Sequence, residues 1–157
     1  MQTAKQLSVT LANKPGRLAT LLTALTKGKV AYRALSVMDS GERGTVRFVP
    51  DDIAAATKVL DALNVRSDAA EVLLVDVPNQ VGAFGKICER LAADHLNIDY
   101  AYCSFHSAGA ARGAKSGVVA VIRVNDLAKA QRVLGVNGVS TRPARRKTPV
   151  RRPVFAR

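Results

Sequence analysis

Two short stretches of this 157-residue chain carry residue types and spacing suited to holding a small zwitterion. They are Asn13-Lys14-Pro15-Gly16-Arg17-Leu18 and Pro78-Asn79-Gln80-Val81-Gly82-Ala83-Phe84. Each follows an alternating apolar run and precedes an amphipathic one, so each reads as a strand-to-helix loop. A helix N-terminus presents unpaired N–H groups and a partial positive charge, which suit a carboxylate. Gly16 and Gly82 let a ligand approach the backbone closely. An asparagine carboxamide offers an acceptor and a donor together, so Asn13 and Asn79 can meet an ammonium and a carboxylate at once. The plainer alternative is that the asparagines only turn or cap the loops.

Groups for catalysis are sparse. His95 and His106 are the only histidines, and His95 falls at the end of an amphipathic segment, where a helix dipole explains it. Cys103-x-x-His106 supplies two metal ligands where a structural zinc site needs four. Cys88 takes an apolar position on a helical stripe, the place of a core residue. No Ser, His and carboxylate combination stands out by spacing. The Gly- and Ala-rich stretch 107–117 lacks the adjacent Gly-Lys-Ser of a phosphate loop and reads as a hairpin loop, with Arg112 or Lys115 as candidate lid residues. No catalytic residue, metal site or cofactor is expected.

The elements that must position the two loops come from an internal repeat. At an offset of 66, Leu7-Ser-Val9-Thr-Leu11 faces Leu73-Leu-Val75-Asp-Val77, Asn13 faces Asn79 and Gly16 faces Gly82. Leu21, Leu22 and Leu25 then face Ile87, Cys88 and Leu91. Farther along the offset becomes 74, pairing Phe48 with Ile122, Asp52 with Asp126 and Leu60 with Leu134. Alternating residues at 7–11 predict a strand; Leu18, Leu21, Leu22 and Leu25 predict a helix ended by Gly28. The run 30–38, the turn Asp39-Ser40-Gly41 and the run 45–49 predict a hairpin. Asp51 or Asp52 caps a second helix carrying Ile53, Ala56, Val59, Leu60 and Leu63, and a short strand around Val65 closes the unit. The second copy has helices near 82–94 and 126–135. The expected fold is α+β: two tandem ferredoxin-like βαββαβ units with antiparallel sheets, at 1–69 and 70–138. Units this small need partners for their sheet edges, so the copies should pair with each other and form a homodimer.

The net charge of +12 is uneven. Seven of the 24 basic residues and three of the six prolines lie in 139–157, and no acidic residue follows Asp126. Residues 1–138 therefore keep 17 basic against 12 acidic residues, a net +5. A segment so basic and so poor in apolar residues does not offset its ordering entropy, so 139–157 reads as a basic, disordered tail. Nucleic acid is a partner only through that tail. The stretch Arg43-Gly44-Thr45-Val46-Arg47-Phe48-Val49 begins like an RNA-recognition octamer, but Thr45 and Arg47 stand where aromatics are required. No apolar run reaches the roughly 18 residues of a membrane helix, Met1-Gln2-Thr3-Ala4-Lys5 is no signal peptide, and two cysteines make no disulfide framework. A cytoplasmic protein is expected.

The stretch Leu7 to Leu18 with Val30-Ala31-Tyr32-Arg33-Ala34-Leu35-Ser36 resembles an ACT domain, the regulatory amino-acid-binding module. Pro78 to Phe84 with Leu96-Asn97-Ile98-Asp99 resembles another, and the likeness spans about residues 4–138. The family pattern is Asn-x-Pro-Gly-x-Leu in the first loop and Val/Ile-Asn-Ile opening the second strand. The resemblance implies an allosteric, non-catalytic sensor that binds a small amino acid between units and modulates a partner enzyme or regulator. It implies as ligand-binding residues Asn79, Gln80, Gly82, Ala83 and Asn97, with Asn13, Pro15 and Gly16 from the first copy. Asn79 and Asn97 match both family asparagines, making the second copy the more complete, whereas Ala31 and Val81 depart from the pattern. Leu11 and Val77 stand where serine-binding members carry His, so serine is not the implied ligand. A nucleic-acid-associated protein or a purely structural dimerisation module are the alternatives.

Overall fold

A computed structural model describes residues 1–106 and 117–135. The elements are β1 (Gln2–Ala12), α1 (Arg17–Lys27), β2 (Tyr32–Ser40), β3 (Arg43–Pro50), α2 (Ile53–Ala62), β4 (Ser67–Val77), α3 (Ala83–Ala93), β5 (Ile98–His106), β6 (Gly117–Val124) and α4 (Leu127–Gly135). All six strands form one antiparallel sheet in the order β2-β3-β1-β4-β6-β5. The basic segment 139–157 and the stretch 107–116, with Arg112 and Lys115, lie outside the described residues.

The repeat is carried into three dimensions residue by residue. Leu21 and Leu25 of α1 are buried on the sheet as Ile87 and Leu91 of α3 are, and Ala56 and Leu60 of α2 match Ala130 and Leu134 of α4. Asp52 Oδ1 accepts the Ala55 amide at 3.0 Å, and Asp126 Oδ1 accepts that of Lys129 at 2.9 Å. These are the same N-cap at offset 74. Lys29 (φ 54°) and His95 (φ 56°) each take the left-handed turn after the first helix of their copy. His95 thus holds a turn position that a lysine holds in the other copy.

One expectation needs correction. No separate strand forms around Val65: Asn64 turns left-handed at φ 53°, and the Val65 amide returns to the Leu60 carbonyl at 3.0 Å. The strand that closes the first copy starts at Ser67 and runs without a break into the one that opens the second. Residues 67–74 of it pair with β1, and residues 73–77 with β6. The boundary expected between 69 and 70 falls inside this strand. In return, the first residues of β1 lie beside the second copy's part of β4, with Gln2 opposite Leu74, Ala4 opposite Val72 and Lys5 opposite Glu71.

Both helix pairs cover the same face of the sheet. Leu7, Val9, Val46 and Phe48 face α1 and α2, and Leu73, Val75, Ala120 and Ile122 face α3 and α4. Among the described residues no helix packs on the opposite face, which is covered by the sheet's own curvature. The sheet curls until its edge strands meet, so that Ser104 Oγ of β5 donates to the Arg33 carbonyl of β2 at 3.1 Å. Inside the curl, Ala34, Val49, Val72, Leu74 and Val121 form a third core. Tyr102 packs against it. This closure removes the open platform on which an RNA-recognition sheet stacks bases.

Gly28 caps α1 with φ −74°, so the left-handed freedom of glycine is not what the position uses. A Cβ there would sit 2.4 Å from Val59 Cγ2 on α2. Valine is stiff about χ1 and cannot swing aside cheaply. Gly28→Ala should therefore destabilise the fold by about 1–3 kcal/mol, read by urea denaturation. A variant as stable as the parent would contradict this packing.

Candidate functional site

Each strand-to-helix loop ends on a glycine that only its left-handed backbone demands. Gly16 (φ 85°) and Gly82 (φ 79°) are the N-cap residues of α1 and α3, and an added Cβ would meet nothing within 4 Å at either. No side chain caps either helix and no acidic residue enters its first turn. The Arg17 and Ala83 amides donate to the Lys14 and Gln80 carbonyls at 3.3 and 3.1 Å, which leaves the next two amides of each helix to face an anion.

The two asparagines differ. Asn13 Nδ2 donates to Asp39 Oδ1 and to the Gly41 carbonyl, both at 3.0 Å. With both donors tied to the β2–β3 hairpin, Asn13 offers only its Oδ1, an acceptor fitted to an ammonium and not to a carboxylate. Asp39 also accepts the Gly41 amide at 3.0 Å and brings a carboxylate to the same loop. Asn79 is exposed, with no hydrogen bond to a described side chain, as is Gln80 beside it. Pro15 is exposed, and Ala83 opens α3 half-buried.

Asn97 and Asn79 do not meet. Val77, two residues before Asn79, is level with Val118, which is level with Phe105 at the far end of β5. Asn97 precedes Ile98, which is level with Val124 at the other end of β6. Some seven residues of strand at about 3.3 Å each separate the two asparagines, so one copy cannot bring both to one small ligand.

Contacts across the seam between β2 and β5 put Asn97 elsewhere. Ser104 meets Arg33, and Tyr102 meets Gln6, which lies in the row of Ala34. Tyr100 lies under Arg47, which is level with Ser36. Two residues back along β5 thus match about two forward along β2, and this antiparallel course puts the start of β5, with Asn97 before it, at the end of the sheet that carries the β2–β3 hairpin. The asparagine of the second copy faces the end that carries the Asn13 loop. At the opposite end, the Asn79 loop has Ala31 for a counterpart. Asn97 is held in place by its backbone, whose amide donates to Asn125 Oδ1 at 3.1 Å, and by Nδ2 donating to Asp99 Oδ1 at 3.1 Å.

A polar group missed by the sequence reading ties the seam together. Gln6 is fully buried, the one buried polar residue among the described residues. Its Nε2 donates to Tyr100 Oη at 2.6 Å and to Ser8 Oγ at 3.3 Å, and its Oε1 accepts from Tyr102 Oη at 3.0 Å. Burial above all, with Tyr100 adding to it, pushes the Tyr102 hydroxyl well above the ordinary tyrosine range. The folded protein therefore keeps a proton that the unfolded chain releases near pH 10. This contribution to stability is complete below about pH 10 and is lost as pH rises above it, at no more than ~1.4 kcal/mol per pH unit. Tyr102→Phe should flatten the alkaline loss in urea titrations run from about pH 8 to 11. Equal slopes in both proteins would contradict the assignment.

Burial likewise raises the Cys88 thiol, with Cys103 and Glu89 adding to the shift, which leaves it a poor nucleophile at neutral pH. Among the described residues no three His, Cys, Asp or Glu side chains gather, and no helix is long and apolar enough to cross a membrane.

A family model described as an ACT domain pair matches residues 2–141. The chain belongs to the ACT domain pair family. Among solved structures it is similar to protein BT0572 from Bacteroides thetaiotaomicron, with 28% identity, a TM-score of 0.74, and 85% of this chain and 88% of that one covered. The regulatory subunit of aspartate kinase from Thermus thermophilus, in ligand-free form, shares the fold at 16% identity and a TM-score of 0.58, with 85% and 91% covered. E. coli aspartokinase III, solved in complex with lysine and aspartate, does so at 16% identity and a TM-score of 0.51, over 87% of this chain and 31% of that one. No match is found among curated proteins. The six strands and four helices are thus two ACT units in tandem, joined through β1 and β4.

Proposed function

We propose that this ACT pair is a non-catalytic regulatory protein, cytoplasmic and homodimeric, that binds one small amino acid between its units and passes the bound state to a partner enzyme or regulator. The observation that supports the reading is that the Asn13 loop and the start of β5, preceded by Asn97, lie at the same end of the sheet. The ammonium goes to Asn13 Oδ1 and Asp39, and a carboxylate to the Leu18 and Ala19 amides in the first turn of α1, with Asn97 closing the site from the second unit. Ligand held by both units favours one packing of the seam over another, and a partner that reads the packing reads the ligand. Asn79, Gln80, Gly82 and Ala83 form the pseudo-equivalent loop, which faces Ala31 and lacks the second asparagine. The basic segment 139–157 supports a different reading, in which the chain holds nucleic acid through those residues.

A thermal-shift screen of the full chain against the twenty amino acids tests the proposal. A ligand at 100 times its Kd adds about 2.7 kcal/mol, a shift of several degrees in a domain of this size. Stabilisation by one amino acid or a chemically related few supports the sensor. Silence from all twenty, with salt-sensitive binding to nucleic acid, would favour the other reading.

A further inference from the structure

The two cysteines stand at matched places on facing elements of the second copy. At the offset of 66, Cys88 of α3 answers to Leu22 and Cys103 of β5 to Val37. The first copy fills the same two places with apolar residues, Leu22 packed against its core and Val37 exposed on its edge strand. Leucine and valine satisfy the fold there, so the packing does not itself require a sulfur on either element.

Strand alternation and helix geometry aim both thiols at the same gap. On β5, Tyr102 packs on the third core and Ser104 reaches across the seam, so Cys103 between them faces the helices. Cys103 is level with Ala120, which lies in the core with Ile87 and Leu91 of α3. On α3, the Arg90 guanidinium donates to the Val133 carbonyl, which marks the flank that α4 occupies. At 3.6 residues per turn, Cys88 falls on the other side of the Ile87 and Leu91 stripe from Arg90. Because α4 packs on β4 and β6, that other flank lies over β5, the edge strand. The thiols are near enough to interact electrostatically, since Cys103 adds to the rise of the Cys88 thiol. Cys103 is exposed, Cys88 is half-buried, and both are free.

We propose that Cys88 and Cys103 are an oxidation site, closed to a disulfide by small-molecule disulfides such as oxidised glutathione and reopened by thiols. The exposed Cys103 reacts first: its thiolate attacks one sulfur of the small disulfide, and the other sulfur leaves as a thiol. Cys88 then gives up its proton and attacks the Cys103 sulfur of the mixed disulfide, expelling the second small thiol. Two protein thiols are oxidised and one disulfide is reduced to two thiols, so electrons and protons balance. The burial of Cys88 makes the second step the slower one. The bond ties α3 to the edge strand, and with it the Asn79 loop that leads into that helix. In a reducing compartment such a bond is transient and forms when the thiol–disulfide balance shifts. The site does not depend on amino-acid binding.

The test uses the reduced full-length chain, incubated with oxidised glutathione and followed by intact mass, peptide mapping and thermal shift. The parent should lose the mass of two hydrogens and keep no glutathione, and mapping should join Cys88 to Cys103 within one chain. Its melting temperature should rise by several degrees and return on adding reductant, because the bond closes a loop of about 15 residues. Cys88→Leu and Cys103→Val carry the residues of the first copy and should melt close to the reduced parent. Cys88→Leu should stop at the mixed disulfide on Cys103, with no gain in stability. Glutathione retained on Cys103 of the parent, a disulfide between Cys103 residues of two chains, or a parent that stays reduced would each overturn the proposal. A Cys88–Cys103 bond that lowers the melting temperature would mean that it forms only by distorting the fold, and would overturn it as well. The parent's own mass decides the first three outcomes whatever the stability of the variants.

Discussion

Gln6→Ala should cost about 3 kcal/mol of stability, a large effect for a polar side chain outside any helix cap. Two hydroxyls on β5, those of Tyr100 and Tyr102, find their partner in this one carboxamide from β1. Truncation leaves both without that bond in a site from which water is excluded at Gln6, and it also opens a cavity. Each buried polar group left unpaired costs roughly 1–3 kcal/mol. A urea titration at neutral pH measures the loss, and Tyr102→Phe in the Gln6→Ala background should cost less than it does alone, because the bond is already gone. Additive losses, or a change under about 0.5 kcal/mol in Gln6→Ala, would mean that the seam does not depend on this residue.

The second large effect concerns the ligand. Asn13→Ala and Asn97→Ala should each weaken amino-acid binding about ten- to hundredfold, while Asn79→Ala changes it less than about threefold. Asn13 acts twice over, since it offers Oδ1 to the ligand and fixes Asp39 and Gly41 through Nδ2. Calorimetry on the responding amino acid separates the cases. Strong loss in Asn79→Ala with none in Asn13→Ala would move the site to the second loop.

The repeat made most of the fold readable. Apolar residues at matched offsets became matched buried positions, and paired Asp52 and Asp126 became paired caps, because local periodicity and capping depend on near neighbours in sequence. The course of β4 was not readable, since nothing local distinguishes a strand that ends one unit from one that begins the next. The site was legible residue by residue but not in its assembly. Asn79 and Asn97 belong to one copy in sequence, but in a split βαβ unit the end of the first strand and the start of the second lie at opposite ends of the sheet. Which asparagine meets which loop depends on the closure of the seam. Gln6 escaped notice for the same reason: on a single strand it is an isolated amide, and only the curl brings β5 to it.

The central claim is that one amino acid is shared by the first loop and the second unit. The most direct measurement is a titration of 15N-labelled full-length protein with the responding amino acid, followed by backbone amide NMR shifts. The account predicts that the amides of Gly16 to Ala19 and of Asn97 to Tyr100 move together, with one binding isotherm. Shifts confined to Asn79 to Phe84, with Gly16 unmoved, would contradict it.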